Sequence, residues 1–349
     1  MKILKTISAL VVILLMTSQI QAKNGDMIPI EVNKLNDRIL FIKTGETSVL
    51  TNMLAVSTEE GIIVFDSTWH FSLARRVKKI IEKEFGRNDF VYLVLTHAAF
   101  DHTTGNQEFS EAVIIGHDIG PSRMEVNVKR VQEQGGFFYR SFQNAKDRIE
   151  DAKKGSLEEK EANEFITAYT LLLEELSSPD FILTPPDITF NDRLTLRLGD
   201  LTLHMVHNIP SYSDNDIITY IPELKLLNVG DVFNNDRLPW ISPNTDIPKW
   251  LEILKEFTDK EGQIEYVTGG HGGLLTMTEV KEHIEYVNDL WEGIKSVKAE
   301  GLTLKEILDK FSFEKLNHLN HINPVIPGWR IDMHVMNIQN IWRMLDRNQ

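Results

Sequence analysis

The stretch "FVYLVLTHAAFDHTTGN" (90–106) decides how the chain is read. An unbroken apolar run, Phe90 to Leu95, leads into a polar cluster holding His97, Asp101 and His102. A continuous apolar run of this length is expected of a strand buried on both faces. Loops at strand ends are where layered α/β proteins collect their chemistry. Imidazoles and carboxylates are ligands of zinc, iron and manganese. Two further segments repeat the arrangement: Asp231 in "NVGDVF" and His271 in "TGGHGG", each after an apolar run. A lone histidine is more often a hydrogen-bonded structural residue. Three such segments in succession point to a metal site, and the glycines beside His271 allow close backbone approach.

Working outward, "RILFIKT" (38–44), "SVLTNMLAVS" (48–57) and "GIIVFDS" (61–67) read as strands, with a hairpin turn at Glu59-Glu60-Gly61. "SLARRVKKIIEKEF" (72–85) has a helical apolar period, and "AVIIGH" (112–117) reads as the next strand. Strands alternating with helices imply an α/β layered fold. Residues of about 121–178 are rich in charge and helix formers, and Phe165, Tyr169, Leu172, Leu173 and Leu176 share one helical face. This predicts a helical insertion that covers the sheet, in preference to a lid or a dimerisation arm; a homodimer through it stays open. Strands resume at 188–190, 194–200, 201–207, 216–222 and 224–231, followed by a helix at 247–257. Thr276-x-x-Glu279 is a capping box that opens the next helix. The division is thus a leader at 1–22, one domain at 23–300 that contains the insertion, and a helical C-terminal extension at 301–349.

The chain has 349 residues, 42% hydrophobic and 25% charged, with a formal charge of −14 and no cysteine. An acidic surface argues against nucleic acid or an anionic membrane as the main partner. Lys2 and Lys5 precede an apolar run that ends before the polar stretch at Ala22, the layout of a secretory signal peptide. The run is short for a membrane span. The expectation is a periplasmic or secreted protein with no stable membrane span after cleavage, held by its own core or by a metal because it has no disulfides.

The order of these segments resembles the metallo-β-lactamase fold superfamily. Its motif is His-x-His-x-Asp-His after a buried strand, then Gly-His-Thr, then Gly-Asp, then a Gly-His-Gly type loop. The likeness runs over roughly residues 38 to 300 apart from the insertion, and "NMLAVSTEEGIIVFDS", "DNDIITYIPELKLLNVGDVF" and "VTGGHGG" support it. It implies an αββα four-layer sandwich with the site at one edge, and is most similar to the exported metallo-hydrolase branch. The resemblance implies two metal positions. The first would take His97, but Ala99 and Tyr212 stand where two histidines belong. The second would take Asp101, His102 and His271, with Asp231 as the bridging carboxylate.

His97 alone cannot hold zinc, because useful sites need at least three protein ligands. His207, five residues before Tyr212, is the one rescue in sequence. A single ion is therefore expected: zinc first, with iron(II) or manganese equally suited to two histidines and a carboxylate. Such an ion lowers the pKa of bound water toward about 7, giving a hydroxide nucleophile. Asp231 would orient that water or accept its proton. His97 would act as general acid or base, or add a ligand. Tyr212 would hydrogen-bond a developing oxyanion. The expected substrate is a small molecule with an ester, amide, lactone or sulfate or phosphate ester bond. The reading from another class is a non-catalytic binding protein with at most a structural metal, since fold does not fix function. Smaller expectations are an Asp66 hydrogen bond to a ligand histidine, a turn-capping role for Asp214 or Asp216, and a pocket wall from Trp240 and Phe137-Phe138. His117 and His334 are expected to be structural or on the surface rather than to face the site.

Overall fold

The computed structural model describes residues 28–47, 51–208, 211–315, 319, 322–326 and 331–347, and not the side chain of Phe137. The leader at 1–22 lies outside the described residues. Apolar runs and turn residues fall into two sheets. The first joins β1 (Ile30–Asn36), β2 (Ile39–Thr44), β3 (Asn52–Thr58), β4 (Gly61–Phe65), β5 (Phe90–Val94), β6 (Val113–His117) and β7 (Ile188–Phe190) in chain order. Its first four strands are antiparallel neighbours, and β4 to β7 run parallel. The second is ordered β13 (Leu274–Leu275), β12 (Tyr266–Gly269), β11 (Leu226–Gly230), β10 (Ile217–Ile221), β9 (Leu201–His207) and β8 (Arg193–Leu198). A short hairpin, β14 (Val325–Ile326) and β15 (Ile331–Asp332), stands apart.

The sheets face each other across a core that includes Leu54, Ile63 and Val94 from the first and Leu203, Ile217 and Leu226 from the second. Helix α1 (Phe71–Phe85) covers the outer face of the first sheet, where Val77 and Ile81 pack on Leu40, Ile62 and Leu93. The outer face of the second lies under α6 (Ile247–Thr258), α7 (Met277–Ala299) and α9 (Met333–Arg347), where Trp250, Tyr286 and Ile341 meet Ile218 and Val267. The order is helix, sheet, sheet, helix, the four-layer sandwich expected. The capping box is formed, with Thr276 and Glu279 exchanging side-chain and backbone bonds.

After the short α2 (Phe100–Thr103), the insertion is α3 (Gly120–Gln132), α4 (Gly136–Asp151) and α5 (Leu157–Leu176). Phe165, Tyr169, Leu172 and Leu176 are buried against Trp69, Leu73 and Phe100, so this face is used within the chain, over α1 and α2 and not directly over the sheet as expected. Glu175 extends this docking. Its carboxylate accepts the Phe71 N–H at 2.8 Å and the Ser72 N–H at 3.3 Å, capping α1 from a distant helix. Burial pushes its pKa up to about 7. The C-terminal extension, with α8 (Leu304–Lys310), shares the core of the second sheet through Ile307, Ile326, Met333 and Ile338. Among the described residues no helix is long and apolar enough to cross a membrane.

β4 and β5 stop short of the ends expected for them at 67 and 96. β4 stops at Phe65 because Asp66 and Thr68 turn to φ of 60° and 64°. β5 stops at Val94, and Thr96 instead binds Asp66. Both departures occur where the chain enters the site.

Candidate metal centre

Asp66 follows β4, His97, Asp101 and His102 follow β5, Asp231 follows β11, and His271 follows β12. These strands end at one edge of the sandwich, and sharp turns bring their ends together. Gly230 takes φ of 52°, and a Cβ there would lie 2.7 Å from the Cβ of Thr96. A Cβ on Gly270 would meet Asp231 Oδ1 at 2.1 Å, so only glycine lets this loop close over the carboxylate. Asn52 pins the same loop to the first sheet: its N–H donates to the Gly270 carbonyl at 2.7 Å and its side chain to the Gly269 carbonyl at 3.0 Å.

The polar groups converge in a buried cluster. His271 Nε2 lies 3.1 Å from Asp231 Oδ2 and 3.5 Å from Asp101 Oδ2. His102 Nε2 lies 3.5 Å from Asp101 Oδ2 and 3.6 Å from Asp231 Oδ1. His97 Nε2 is 3.9 Å from Asp231 Oδ2. Two groups of potential metal-binding atoms, each within 4.8 Å of one another, result: Asp101, His102 and His271, and His97, His102 and Asp231. They share His102.

A hydrogen-bond chain sets the histidine tautomers. Asp66 accepts from the Thr96 N–H at 2.8 Å and the Thr96 hydroxyl at 2.7 Å, and sits 2.8 Å from His102 Nδ1. A carboxylate only accepts, so His102 carries a proton on Nδ1 and turns Nε2 into the cluster. Thr96 has one hydroxyl proton, already given to Asp66. Its oxygen, 3.1 Å from His97 Nδ1, therefore accepts from that nitrogen, and His97 Nε2 is unprotonated. Burial and then the neighbouring His102 push the His97 pKa down to about 3. His97 is thus a neutral imidazole with its unprotonated Nε2 toward Asp231.

The remaining charges follow from crowding. Burial opposes charge on His102, but Asp101, Asp231 and Asp66 outweigh it and hold its pKa well above 6.5. Burial also opposes charge on Asp231, but His271 and His102 hold it well below 3.8. Burial raises Asp101. Within this cluster His97 Nε2, His102 Nε2 and Asp231 Oδ1 are buried with no hydrogen-bond partner. Leaving such a group unsatisfied costs about 1–3 kcal/mol. A metal ion taking the place of the proton that these carboxylates favour on His102 would satisfy both nitrogens and the carboxylate oxygen together, so the donor set fits a metal ion.

The other expected residues separate cleanly. Tyr212 sits edge-on to His97, ring centres 5.3 Å apart. Burial, then Asp231 and Asp101, keeps its phenol well above 10, a donor at neutral pH. His207 does not replace the missing ligand. Its Nδ1 is 3.0 Å from the Asp216 carbonyl oxygen and its ring centre 4.0 Å from that of His117, so both histidines are committed away from the cluster. His334 contacts Tyr286 and Phe311 instead. Asp216 accepts from Ser211 and Ser213 and closes their turn, while Asp214 pairs with Arg123. Trp240 and Phe138 do line a pocket.

Sequence reading missed Thr96 and Asn234, whose side-chain oxygen accepts the His271 N–H at 2.8 Å. It also missed Arg237, which lines a cavity of about 550 Å³ together with Asp231 and Tyr212. Tyr212 and His97 border a second, more polar cavity of about 280 Å³, into which Ala99 opens.

The metallo-beta-lactamase superfamily model matches residues 47–271. No curated protein sequence matches the chain. Among solved structures, the chain is similar to a stereoselective inverting sec-alkylsulfatase, Pisa1, from Pseudomonas sp., at 14% identity and a TM-score of 0.67. That likeness covers 92% of this chain but 51% of the sulfatase, so the chain spans about half of that protein's length. It is similar also to a metallo-beta-lactamase family protein from Thermus thermophilus, at 15% identity and a TM-score of 0.54, covering 90% and 95% of the two chains. A metallo-beta-lactamase from Pontibacter korlensis matches at 14% identity and a TM-score of 0.50, over 75% of this chain and 100% of the other. At these identities the likeness carries the fold alone. The model match spans more than half of the chain and includes every proposed ligand, and the chain therefore belongs to the metallo-beta-lactamase superfamily, whose members are typically hydrolases.

Proposed function

We propose that the protein is an exported hydrolase, periplasmic or secreted, that works with one metal ion. The observation that carries this reading is the buried convergence of Asp101, His102, His271 and Asp231, in which His102 Nε2 and Asp231 Oδ1 have no hydrogen-bond partner among the described residues. Asp101, His102 and His271 would hold the ion, with Asp231 as fourth ligand or as partner of its water. The other set, His97, His102 and Asp231, shares His102 with this one, and Ala99 and Tyr212 add no imidazole to it, which supports a single ion. Bound there, zinc, or iron(II) or manganese, supplies Lewis acidity and a nucleophile at neutral pH.

The chain's own residues supply the rest. Asp231 is an acceptor for a water proton, held ionised by two histidines. His97, neutral and with its Nε2 lone pair toward Asp231, would accept a hydrogen bond or add a ligand. The Tyr212 hydroxyl donates to negative charge that develops on the substrate, where a second ion would otherwise act. The bond broken is of the ester, lactone, amide or sulfate ester type, and a sulfatase among the similar folds puts sulfate esters in the first screen.

The test is turnover of a panel of such esters by purified protein, before and after chelation, beside Tyr212→Phe. Activity that disappears on chelation, returns with metal, and falls at least tenfold in kcat with little change in KM in the variant is expected. Full activity in Tyr212→Phe would remove the phenol from the mechanism. One bound metal with no turnover of any substrate would favour a binding protein.

A further inference from the structure

The cavity of about 550 Å³ beside Asp231 differs in character from the rest of this acidic chain. Its walls are Phe138, Leu238, Trp240, Ile326, Met333 and Met336, and its size is that of a small-molecule site. The walls come from three places outside the two sheets: the helical insertion, the loop after β11, and the C-terminal extension. Aromatic and methionine side chains make such a surface apolar and adaptable. Among the described residues, the charged groups that line this cavity are Asp231, Arg130 and Arg237.

Arg130 is exposed at the rim, whereas Arg237 is only 9% exposed. Asp236 holds the Arg237 guanidinium through Nε at 3.0 Å and Nη2 at 3.3 Å, fixing its plane. Burying a guanidinium is costly even when it is paired. Arg237 lines an apolar cavity together with Asp231 and Tyr212, and a guanidinium of fixed plane is a recognition element for carboxylates and similar oxyanions.

We propose that this cavity binds an organic anion with a bulky apolar body, the body against the Trp240 and Met336 wall and the charge on Arg237. A substrate so held presents its adjoining bond to Asp231 and Tyr212, which border the same space. For its catalytic meaning this rests on the site proposed above; as a binding statement it stands separately.

The experiment is calorimetric titration of the protein as purified with straight-chain carboxylates from butanoate to decanoate and with the matching neutral amides. Affinity should rise about fourfold per methylene until the cavity is filled. Octanoate should bind about tenfold or more tightly than octanamide. Arg237→Gln should abolish the preference for the carboxylate and leave octanamide binding in place, Arg237→Lys should restore part of it, and Trp240→Ala should weaken both ligands. A flat dependence on chain length, or equal binding of acid and amide to the wild type, overturns the proposal without any variant. A carboxylate preference that survives Arg237→Gln overturns the assignment of the charge to Arg237. Binding as expected without turnover of any ester would defeat the hydrolase reading alone, and turnover without this binding pattern would defeat this inference alone.

Discussion

Replacing Asp66 with Asn would test how the cluster is organised, because it alters one atom of a residue that touches no ion. Asp66 accepts both Thr96 bonds, at 2.8 and 2.7 Å, and faces His102 Nδ1 at 2.8 Å. Asparagine tolerates the φ of 60° found here, so the backbone is a fair control. The amide, however, has one acceptor oxygen and one donor nitrogen. Whichever way it turns, either Thr96 or His102 faces an N–H where it had a carboxylate oxygen. If the amide nitrogen faces His102, that ring must move its proton to Nε2, the atom needed for the metal. Losing such a supporting partner typically costs 10–100-fold in metal affinity, about 1.4–2.7 kcal/mol. Competition with a chromophoric chelator would measure it, with thermal melting of the metal-free protein to confirm folding. Wild-type affinity in a folded Asp66→Asn protein would refute the tautomer argument.

If Ala99 and Tyr212 are what removed a second ion, then Ala99→His with Tyr212→His should raise metal content from about one to about two per chain. The cavity of about 280 Å³ shared by His97, Ala99 and Tyr212 has room for the new rings, and unchanged stoichiometry would mean that more than two side chains were lost. Glu175 gives a pH prediction. Its folded pKa of about 7 lies above the ordinary 4.5, so its contribution to stability is full below 4.5 and is lost as pH rises through 7. The difference corresponds to roughly 3 kcal/mol. Denaturant unfolding at a series of pH values should show this slope in the wild type and not in Glu175→Gln; parallel curves would mean that the carboxyl titrates as if exposed.

The layered sandwich was legible because its strands are continuous apolar runs between turn residues, and the metal ligands because they stand at the ends of those runs. The buried helical face of the insertion was legible from the spacing of Phe165, Tyr169, Leu172 and Leu176. Other features depend on contacts that sequence spacing does not encode. Glu175 caps a helix about a hundred residues upstream, and nothing near either end announces it. The turn at Asp66 and Thr68 is held by long-range bonds to Thr96 and His102, so the local pattern reads as continued strand. Arg237 is one cation in a loop without periodicity; its meaning comes from the cavity. His207 looked free to replace a lost ligand, and only packing against His117 shows that it is occupied.

The central claim is one ion held by Asp101, His102 and His271. Elemental mass spectrometry of protein purified without chelator, beside an Asp101→Ala/His271→Ala variant, tests it most directly. The account predicts about one metal per wild-type chain and none in the folded variant. Two per chain, or none after reconstitution with zinc, iron(II) or manganese, would contradict it.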